Sequence, residues 1–179
     1  MKWNIDPTHS GVQFTVRHLM VSKVRGTFTA WTAELDLDDD DITKSSVEVS
    51  IDAASVDTKE SKRDEHLRSP DFFDVENFPK VTFKSTRVTR TDEDTLEVLG
   101  DLTIRDITRP VTLVVEEGGR VKDPWGGTRA GFSATTSIDR KSFGLNWNAL
   151  LEAGGVVVGD KISIAIEIEA VAAAASAAA

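Results

Sequence analysis

The side chains with the widest chemical repertoire in this sequence are three histidines, His9, His18 and His66. No two of them have the HxH or HExxH spacing that brings metal ligands together on one strand or one helix face. Ser10 follows His9, but the G-x-S-x-G elbow of a serine hydrolase does not occur in the chain. These residues therefore predict no catalytic set, no metal site and no cofactor.

An acidic run over residues 36–41 (DLDDDD) suggests calcium at first inspection. An EF-hand loop that starts at Asp36 needs glycine at its sixth position and glutamate at its twelfth. Those positions hold Asp41 and Val47. The run therefore predicts a solvated turn after a strand.

The chain has 179 residues, with 21 basic and 30 acidic side chains, a net charge of −9 and no cysteine. This balance argues against nucleic acid as a partner and against docking on anionic lipid surfaces, because both need clustered Lys and Arg. No apolar run is long enough to span a bilayer, and residues 1–7 have no apolar signal-peptide region. We therefore expect a cytoplasmic protein without stable membrane insertion.

The length predicts one domain, residues 1–171, and an alanine-rich disordered tail, residues 172–179. A homodimer is left open.

The dominant pattern along the chain is alternation of apolar and polar or small residues, as around Ile162, Ile164, Ile166 and Ile168. A period of two is typical of antiparallel strands with one dry and one wet face. It recurs in eight segments, which are residues 11–19, 25–37, 46–55, 80–90, 95–105, 108–117, 127–138 and 158–171. Eight such strands close into a barrel, which removes the sheet edges, so the predicted fold class is an all-β, eight-stranded antiparallel β-barrel.

One segment, residues 58–68 (TKESKRDEHLR), lacks the alternation and contains good helix formers. Asp57 is the predicted N-cap, Glu60 its capping-box partner, and Pro70 ends the helix. An apolar cluster follows this short helical insertion, and we expect it to anchor the helix to one end of the sheet. The cluster consists of Phe72, Phe73, Val75 and Phe78.

The inward faces of the predicted strands mix large residues with small ones such as Gly100 and Ala134. Small inward residues leave volume for a ligand, although large and small residues in alternation also fill a solid core. We assign residues to a ligand-binding cavity by their inward parity, or by their place in the apolar segment after Arg140. They are Phe14, Val16, His18, Phe28, Phe83, Leu102, Ile104, Phe132, Phe143 and Leu145.

Arg140 itself has two interpretations. An arginine directly after a strand can pair with an acid of the helical insertion, such as Asp64, or its planar guanidinium can bind an anionic head group. The structural role is slightly favoured, and Arg140 is kept among the candidate ligand-binding residues.

Several longer motifs occur in a definite order between Trp3 and Val171. They are residues 3–10 (WNIDPTHS), 64–75 (DEHLRSPDFFDV), 78–83 (FPKVTF), 100–104 (GDLTI) and 140–144 (RKSFG). Together these motifs resemble the YceI-like family. The resemblance implies a lipocalin-like barrel that binds a long polyisoprenoid or a similar long-chain amphiphile. One departure, Asp106 where glycine is common, concerns a local turn.

Holding a hydrocarbon tail needs shape and length rather than catalytic groups. We therefore predict a non-catalytic carrier of an isoprenoid or similar lipid, with a quinone-like head group among those considered. The tail enters first, and a neutral or weakly anionic head stays at the open rim. The candidate cations there are His18, Arg105, Arg109 and Arg140. Two alternatives stay open: an enzyme acting on such a lipid with His18 or His66 as base, and an interaction protein with a filled barrel.

Overall fold

The computed structural model describes residues 1–151 and 155–173. In this part of the chain, eleven β-strands and one α-helix follow one another. The strands are β1 (Lys2–Ile5), β2 (Gly11–His18), β3 (Ser22–Phe28), β4 (Trp31–Asp36), β5 (Ser46–Asp52), β6 (Val56–Asp57), β7 (Lys80–Arg90), β8 (Thr95–Ile104), β9 (Ile107–Lys122), β10 (Thr128–Asp139) and β11 (Val158–Ala172). The helix α1 (Ser61–Arg68) lies between β6 and β7.

Eight strands form a closed antiparallel ring in the order β1, β4, β5, β7, β8, β9, β10, β11. The ring closes at β1, where Trp3 pairs with Leu35 of β4 on one side and with Ala172 of β11 on the other. The prediction of an all-β, eight-stranded, lipocalin-like antiparallel barrel is therefore confirmed.

The strands β2, β3 and β6 form a ribbon that attaches to the first part of β11. On this side, β11 pairs with β2 between Val158 and Glu167, and with β1 between Ala170 and Ala172. The long strand β11 thus pairs with two shorter strands, one after the other. The barrel wall is divided at the point where the partner of β11 changes from β2 to β1.

Residues 25–37, predicted as one strand, are two strands that break at Thr29 and Ala30. The break lies where these two residues bond to the end of β5 and to the connection that follows it. The Thr29 N–H donates to the carbonyl of Ser55, and the carbonyl of Ala30 accepts from the Asp52 N–H.

The two ends of the chain also differ in detail from the prediction. The sequence pattern does not predict β1, because four residues are too few to show alternation. β11 includes Ala172, and residues 174–179 of the predicted tail lie outside the described residues. In the described ranges, no helix is long and apolar enough to cross a membrane.

The helix begins three residues later than predicted, at Ser61. Its N-cap is Glu60, whose carboxylate accepts from the N–H groups of Lys62 and Arg63. The predicted cap, Asp57, instead accepts from the N–H of Lys59, whose positive φ of 65° turns the chain before the helix starts. The capping prediction for Asp57 is therefore wrong.

Apolar side chains close both ends of the barrel. At the end that contains the β2–β3 turn, which we call the turn end, Phe143 and Leu145 are buried in the main core cluster with Ile104. At the opposite end, where β1 closes the ring, Trp3 and Leu37 are buried in a second cluster. The interior between these two clusters is therefore shielded along the barrel axis.

Candidate ligand-binding site

Inside the ring lies a cavity of about 270 Å³ whose accessible surface consists of apolar atoms, although a few polar residues are among those that line it. Its wall is built from alternate residues of the surrounding strands. On β11, for example, Ile162, Ile164, Ile166 and Ile168 line the cavity, while the residues between them are exposed on the outer face. The alternation in the sequence thus gives the interior a hydrocarbon surface.

Two glycines let aromatic rings lie against the wall. Gly26 of β3 pairs with Phe14 of β2, and a Cβ atom at Gly26 would overlap the Phe14 ring. A Cβ atom at Gly100 of β8 would likewise overlap the ring of Phe83, which lies diagonally across the ladder on β7. Because both rings rest on bare backbone, the centre of the barrel stays open.

Nine of the eleven candidate residues line the cavity, namely Phe14, Val16, Phe28, Phe83, Leu102, Ile104, Phe132, Arg140 and Leu145. Phe143 lies off the wall, because it ends a 3₁₀ turn (Arg140–Phe143) and packs in the core cluster. His18, the last residue of β2, is also off the wall, although its ladder partner Val158 lines the cavity. These two placements are corrected, and ligand binding by the other nine stays a prediction.

The candidate set omits wall residues that obey the same alternation. Val47, Val49 and Ile51 of β5 have a clear period of two and line the cavity. Trp31 begins a similar alternation on β4, with Ala33 and Leu35, and also lines the cavity. Ile5 lines it as well, but it ends a strand of four residues, which is too short to show a pattern.

Arg140 is 1% exposed, and backbone carbonyls surround its guanidinium. Its Nε donates to Gly159 at 2.8 Å, and one terminal nitrogen donates to Leu145 at 2.6 Å and to Trp147 at 2.8 Å. The other terminal nitrogen donates to Val158 at 3.3 Å. Arg140 therefore ties the loop after β10 to the beginning of β11 and has a structural role.

The acid near Arg140 is Asp160, at 3.6 Å. The predicted partner, Asp64, is wrong, because this buried carboxylate accepts from the N–H and hydroxyl of Thr58 within the helical insertion. Burial lowers the pKa of Arg140 below its ordinary value, and the negative charges of Asp160 and Asp139 oppose this change.

The other candidate cations and bases also lie outside the residues that line the cavity. Arg105 stacks on Phe78, with its guanidinium 5.5 Å from the ring centre, and Arg109 is exposed. His66 is held by Asp71, 2.7 Å from its Nε2, and its ring packs edge-on against Trp147. Among the described histidines, none lies on the cavity wall.

A groove of about 840 Å³ runs along the outside of the barrel where the wall is divided. The β1–β4 pairing ends after Trp3 and Leu35, and the β2–β3 pairing begins only at Val12 and Phe28. Between these points, the chain on one side bonds to β11. The chain on the other side bonds to β5 and to Ser55, which follows it. No ladder joins the two sides over these described residues.

The groove and the internal cavity share eight residues, which are Ile5, Val12, Gln13, Phe28, Trp31, Ala33, Leu35 and Ser46. We call this shared set the portal. Gln13 and Ser46 give it polar groups, whereas the other six are apolar. The portal is therefore a place where a hydrocarbon interior meets a polar outer surface.

A charged cluster lies beside the groove, where Asp6, His9 and Glu169 are close enough to hold a metal ion. The guanidinium of Arg129 already donates to both carboxylates and, at 3.0 Å, to Asp123. Hydrogen bonds from Thr8, His9 and Arg129 hold the pKa of Asp6 well below its ordinary value. Arg129 thus supplies the positive charge that balances these carboxylates, and the cluster has a structural role.

Comparison with known proteins now places this barrel in a family. A family model described as the YceI-like domain matches residues 3–170. The chain belongs to the YceI-like family. A UPF0312 protein of Staphylococcus epidermidis is 39% identical to this YceI-like chain over 169 residues, which cover 94% of this chain and 96% of the relative.

Solved structures share the fold of this YceI-like chain. The YCEI protein of Campylobacter jejuni superimposes with a TM-score of 0.77 at 30% identity, covering 88% of this chain and 90% of that one. A polyisoprenoid binding domain from Saccharophagus degradans superimposes with a TM-score of 0.68 at 13% identity, covering 96% and 98%. The second likeness concerns the fold alone.

Proposed function

We propose that this protein is a carrier that holds the hydrocarbon tail of an isoprenoid, or of a similar long-chain amphiphile, inside the barrel. The observation that carries the proposal is the apolar cavity of about 270 Å³ inside the ring. A wall of hydrocarbon gives no orientation to a sugar, a nucleotide or a peptide, because such ligands need hydrogen-bond partners. A prenyl or acyl tail needs none.

The energetics of tail binding fit such a wall. Each CH₂ group that moves from water into hydrocarbon contributes about 0.8 kcal/mol. About ten buried carbons therefore contribute about 8 kcal/mol, part of which is lost to the ordering of the ligand. Binding of this kind depends on the shape and length of the cavity, so the carrier needs no catalytic group.

The head group of the ligand is neutral or weakly anionic in this proposal, as in an alcohol or a quinone. Arg140 lines the wall, but backbone carbonyls already accept from its guanidinium. Gln13 and Ser46 at the portal offer neutral hydrogen bonds. We therefore place the head at the portal, rather than at a rim near Arg105 and Arg109.

The comparisons support the class of ligand. This chain shares its family with YceI-like proteins and its fold with a domain described as polyisoprenoid binding. The alternatives have less support. An enzyme with His18 or His66 as base would lack that base on the wall, and a filled barrel would lack the open cavity.

Native mass spectrometry of the purified protein, followed by titration of delipidated protein, tests the proposal. We expect a bound lipid in the first measurement, and saturable binding of a prenyl alcohol in the second. Failure to bind any prenyl or acyl amphiphile would refute the carrier function. Turnover of the bound alcohol to a new product would instead support the enzyme.

The same titration with the diphosphate of that alcohol, at low and high salt, tests the head group. We expect the alcohol to bind at least as tightly as the diphosphate, with little dependence on salt. Tight binding of the diphosphate that disappears at high salt would identify an arginine as a ligand of the head.

A further inference from the structure

We infer that the turn between β2 and β3 docks this protein on the surface of a lipid bilayer with anionic head groups. The inference rests on this turn and its surroundings, so it does not depend on which ligand the cavity holds. The net charge of −9 argues against such a surface only when the charges are evenly spread. The structure places several basic residues together.

The turn presents large apolar side chains to water. Met20 is 61% exposed and Val21 is 83% exposed, with Leu19 partly exposed beside them. Leu150 is also exposed, on a neighbouring loop that the bond from the Leu19 N–H to the carbonyl of Val157 holds near the turn. We call these four residues the apolar tip: Leu19, Met20, Val21 and Leu150. Exposed apolar groups that lie together, rather than singly, mark an interaction site.

The backbone of the turn does not suit its residues. Leu19 and Met20 have φ values of 51° and 61°, and the carbonyl of His18 accepts from the Val21 N–H at 3.2 Å. Central turn positions with positive φ favour Asn-Gly, because large side chains are strained there. Asn-Gly would therefore suit this backbone better than Leu-Met. Met20 lies against Gly155, yet most of its side chain stays in water, which indicates that the apolar residues of the turn also act outside the folded monomer.

Basic residues surround the base of the tip. Arg17 of β2 and Lys23 of β3 lie directly opposite each other, and Arg25 is two residues further along β3 on the same outer face. We call these three residues the basic collar. All three are exposed, and over the described ranges none of them has an ion pair. Like charges that face each other across a ladder repel, and an anionic surface would relieve that repulsion.

The neighbouring charged groups leave the collar positive. Lys161 of β11 adds a further exposed cation, opposite Asp139 of β10. Asp160 is engaged with Lys141 at 3.2 Å and with Arg140. Of the described acids beside the collar, Asp160 has cationic partners and Asp139 lies opposite Lys161.

An apolar tip within a basic collar matches a bilayer better than it matches a second copy of the chain. In a bilayer, the apolar side chains reach below the head groups while the collar meets the phosphates. A symmetric contact between two copies would place one collar against the other, since the same patch faces itself in such a dimer. The resulting repulsion disfavours the dimer.

Sedimentation with vesicles tests the docking. We expect the protein to bind vesicles of equal parts phosphatidylglycerol and phosphatidylcholine at low ionic strength, and to bind pure phosphatidylcholine much more weakly. Added salt weakens the binding, because it screens the collar. Lys23→Glu removes one positive charge and adds a negative one, so binding falls by about 25-fold, at about fivefold per charge.

A double variant, Leu19→Asn with Met20→Gly, separates docking from folding. It removes apolar side chains and suits the positive φ values, so we expect a higher melting temperature together with about tenfold weaker vesicle binding. The matched controls are Trp125→Ser and Lys122→Glu, which change an 84%-exposed apolar residue and an exposed lysine near the opposite end of the barrel. Both controls should bind vesicles as the native protein does.

Three results would overturn the inference. The first is a native protein that fails to bind anionic vesicles at low salt. The second is a double variant that binds as tightly as the native protein. The third is a native dimer, seen by analytical ultracentrifugation, that the double variant dissociates, because the tip would then serve a second copy of the chain.

Discussion

The ring of Phe14 lies against the backbone of Gly26, directly across the β2–β3 ladder. Phe14 also packs against Phe28, with the ring centres 5.6 Å apart, and both rings line the cavity. The missing side chain at one position of β3 therefore determines where two aromatic groups of the wall can lie.

Substitution of this glycine should lower stability. Gly26→Ala forces the Phe14 ring to move, and we expect the free energy of unfolding to fall by about 1–3 kcal/mol, as for other overpacked sites. Urea denaturation measures the change. Gly11→Ala is the matched control, because no heavy atom lies within 4 Å of the added Cβ, and its effect should stay within about 0.5 kcal/mol. Equal effects of the two substitutions would contradict the close approach of Phe14.

Filling the cavity should block ligand binding without unfolding the barrel. Ala134 is 8% exposed and lines the cavity, so Ala134→Trp places an indole in the space proposed for the tail. We expect affinity for a prenyl alcohol to fall by about tenfold or more, equivalent to about two lost CH₂ contacts. Thr135→Trp, on the outer face of the same strand, should bind as the native protein does. Unchanged affinity in Ala134→Trp would argue against an internal site there.

The portal can be tested through rates. Ala33 lies at the boundary between the groove and the cavity, and Ala33→Trp narrows that boundary. We expect uptake and release of a prenyl alcohol to slow, with a smaller loss of affinity than in Ala134→Trp, because Ala33 lies where the cavity wall meets the groove. Stopped-flow fluorescence measures both rates. Native rates in Ala33→Trp would mean that the ligand enters elsewhere.

Loss of the Arg140 guanidinium should destabilise the turn end of the barrel. Arg140→Met removes a donor from four backbone carbonyls, of which Val158 keeps the side-chain amide of Asn148, and a buried unsatisfied polar group costs about 1–3 kcal/mol. We expect the free energy of unfolding to fall by about 3 kcal/mol or more. Arg109→Met, at an exposed position, should change it by less than about 0.5 kcal/mol. A small effect of Arg140→Met would show that the loop after β10 holds its position without these bonds.

The Asp6 cluster should respond to acid. The folded protein lowers the pKa of Asp6, so this carboxylate stabilises the fold above its unfolded pKa of about 4. That stabilisation is lost as the pH falls from about 4 toward the lower folded value. The difference in unfolding free energy between the native protein and Asp6→Asn should therefore be largest near neutral pH and shrink in acid. Urea unfolding at several pH values measures it, with Asp40→Asn as the control for net charge, and a constant difference would contradict the assignment.

Alternation predicts the long strands and most of the cavity wall. In a strand that separates water from the barrel interior, successive side chains face water and interior in turn. The isoleucines of β11 are an example. The division of the wall depends instead on Thr29 and Ala30, whose partners, Ser55 and Asp52, lie more than twenty residues away in the chain. A local pattern holds no information about such contacts.

The same limit applies to individual side chains. Arg140 meets Asp160 rather than Asp64 because the loop after β10 folds back onto the beginning of β11. His18 obeys the inward parity of β2 and pairs with Val158, a residue of the wall, yet His18 ends its strand and does not line the cavity. Parity predicts the face of a strand, whereas the extent of the cavity depends on how neighbouring strands end.

Pairing of Trp3 with Ala172 joins the first described strand to the last, which has a consequence for how the protein folds. During synthesis, the strands from β4 to β10 emerge before β11 and cannot complete the ring without it. Until then their inner faces form a curved sheet with its hydrocarbon side open to water, and contacts so distant in sequence form slowly. The nascent chain therefore passes through a stage in which the inner face of this sheet is accessible to ligands along its entire length. A lipid that binds at that stage would be enclosed when β11 closes the ring.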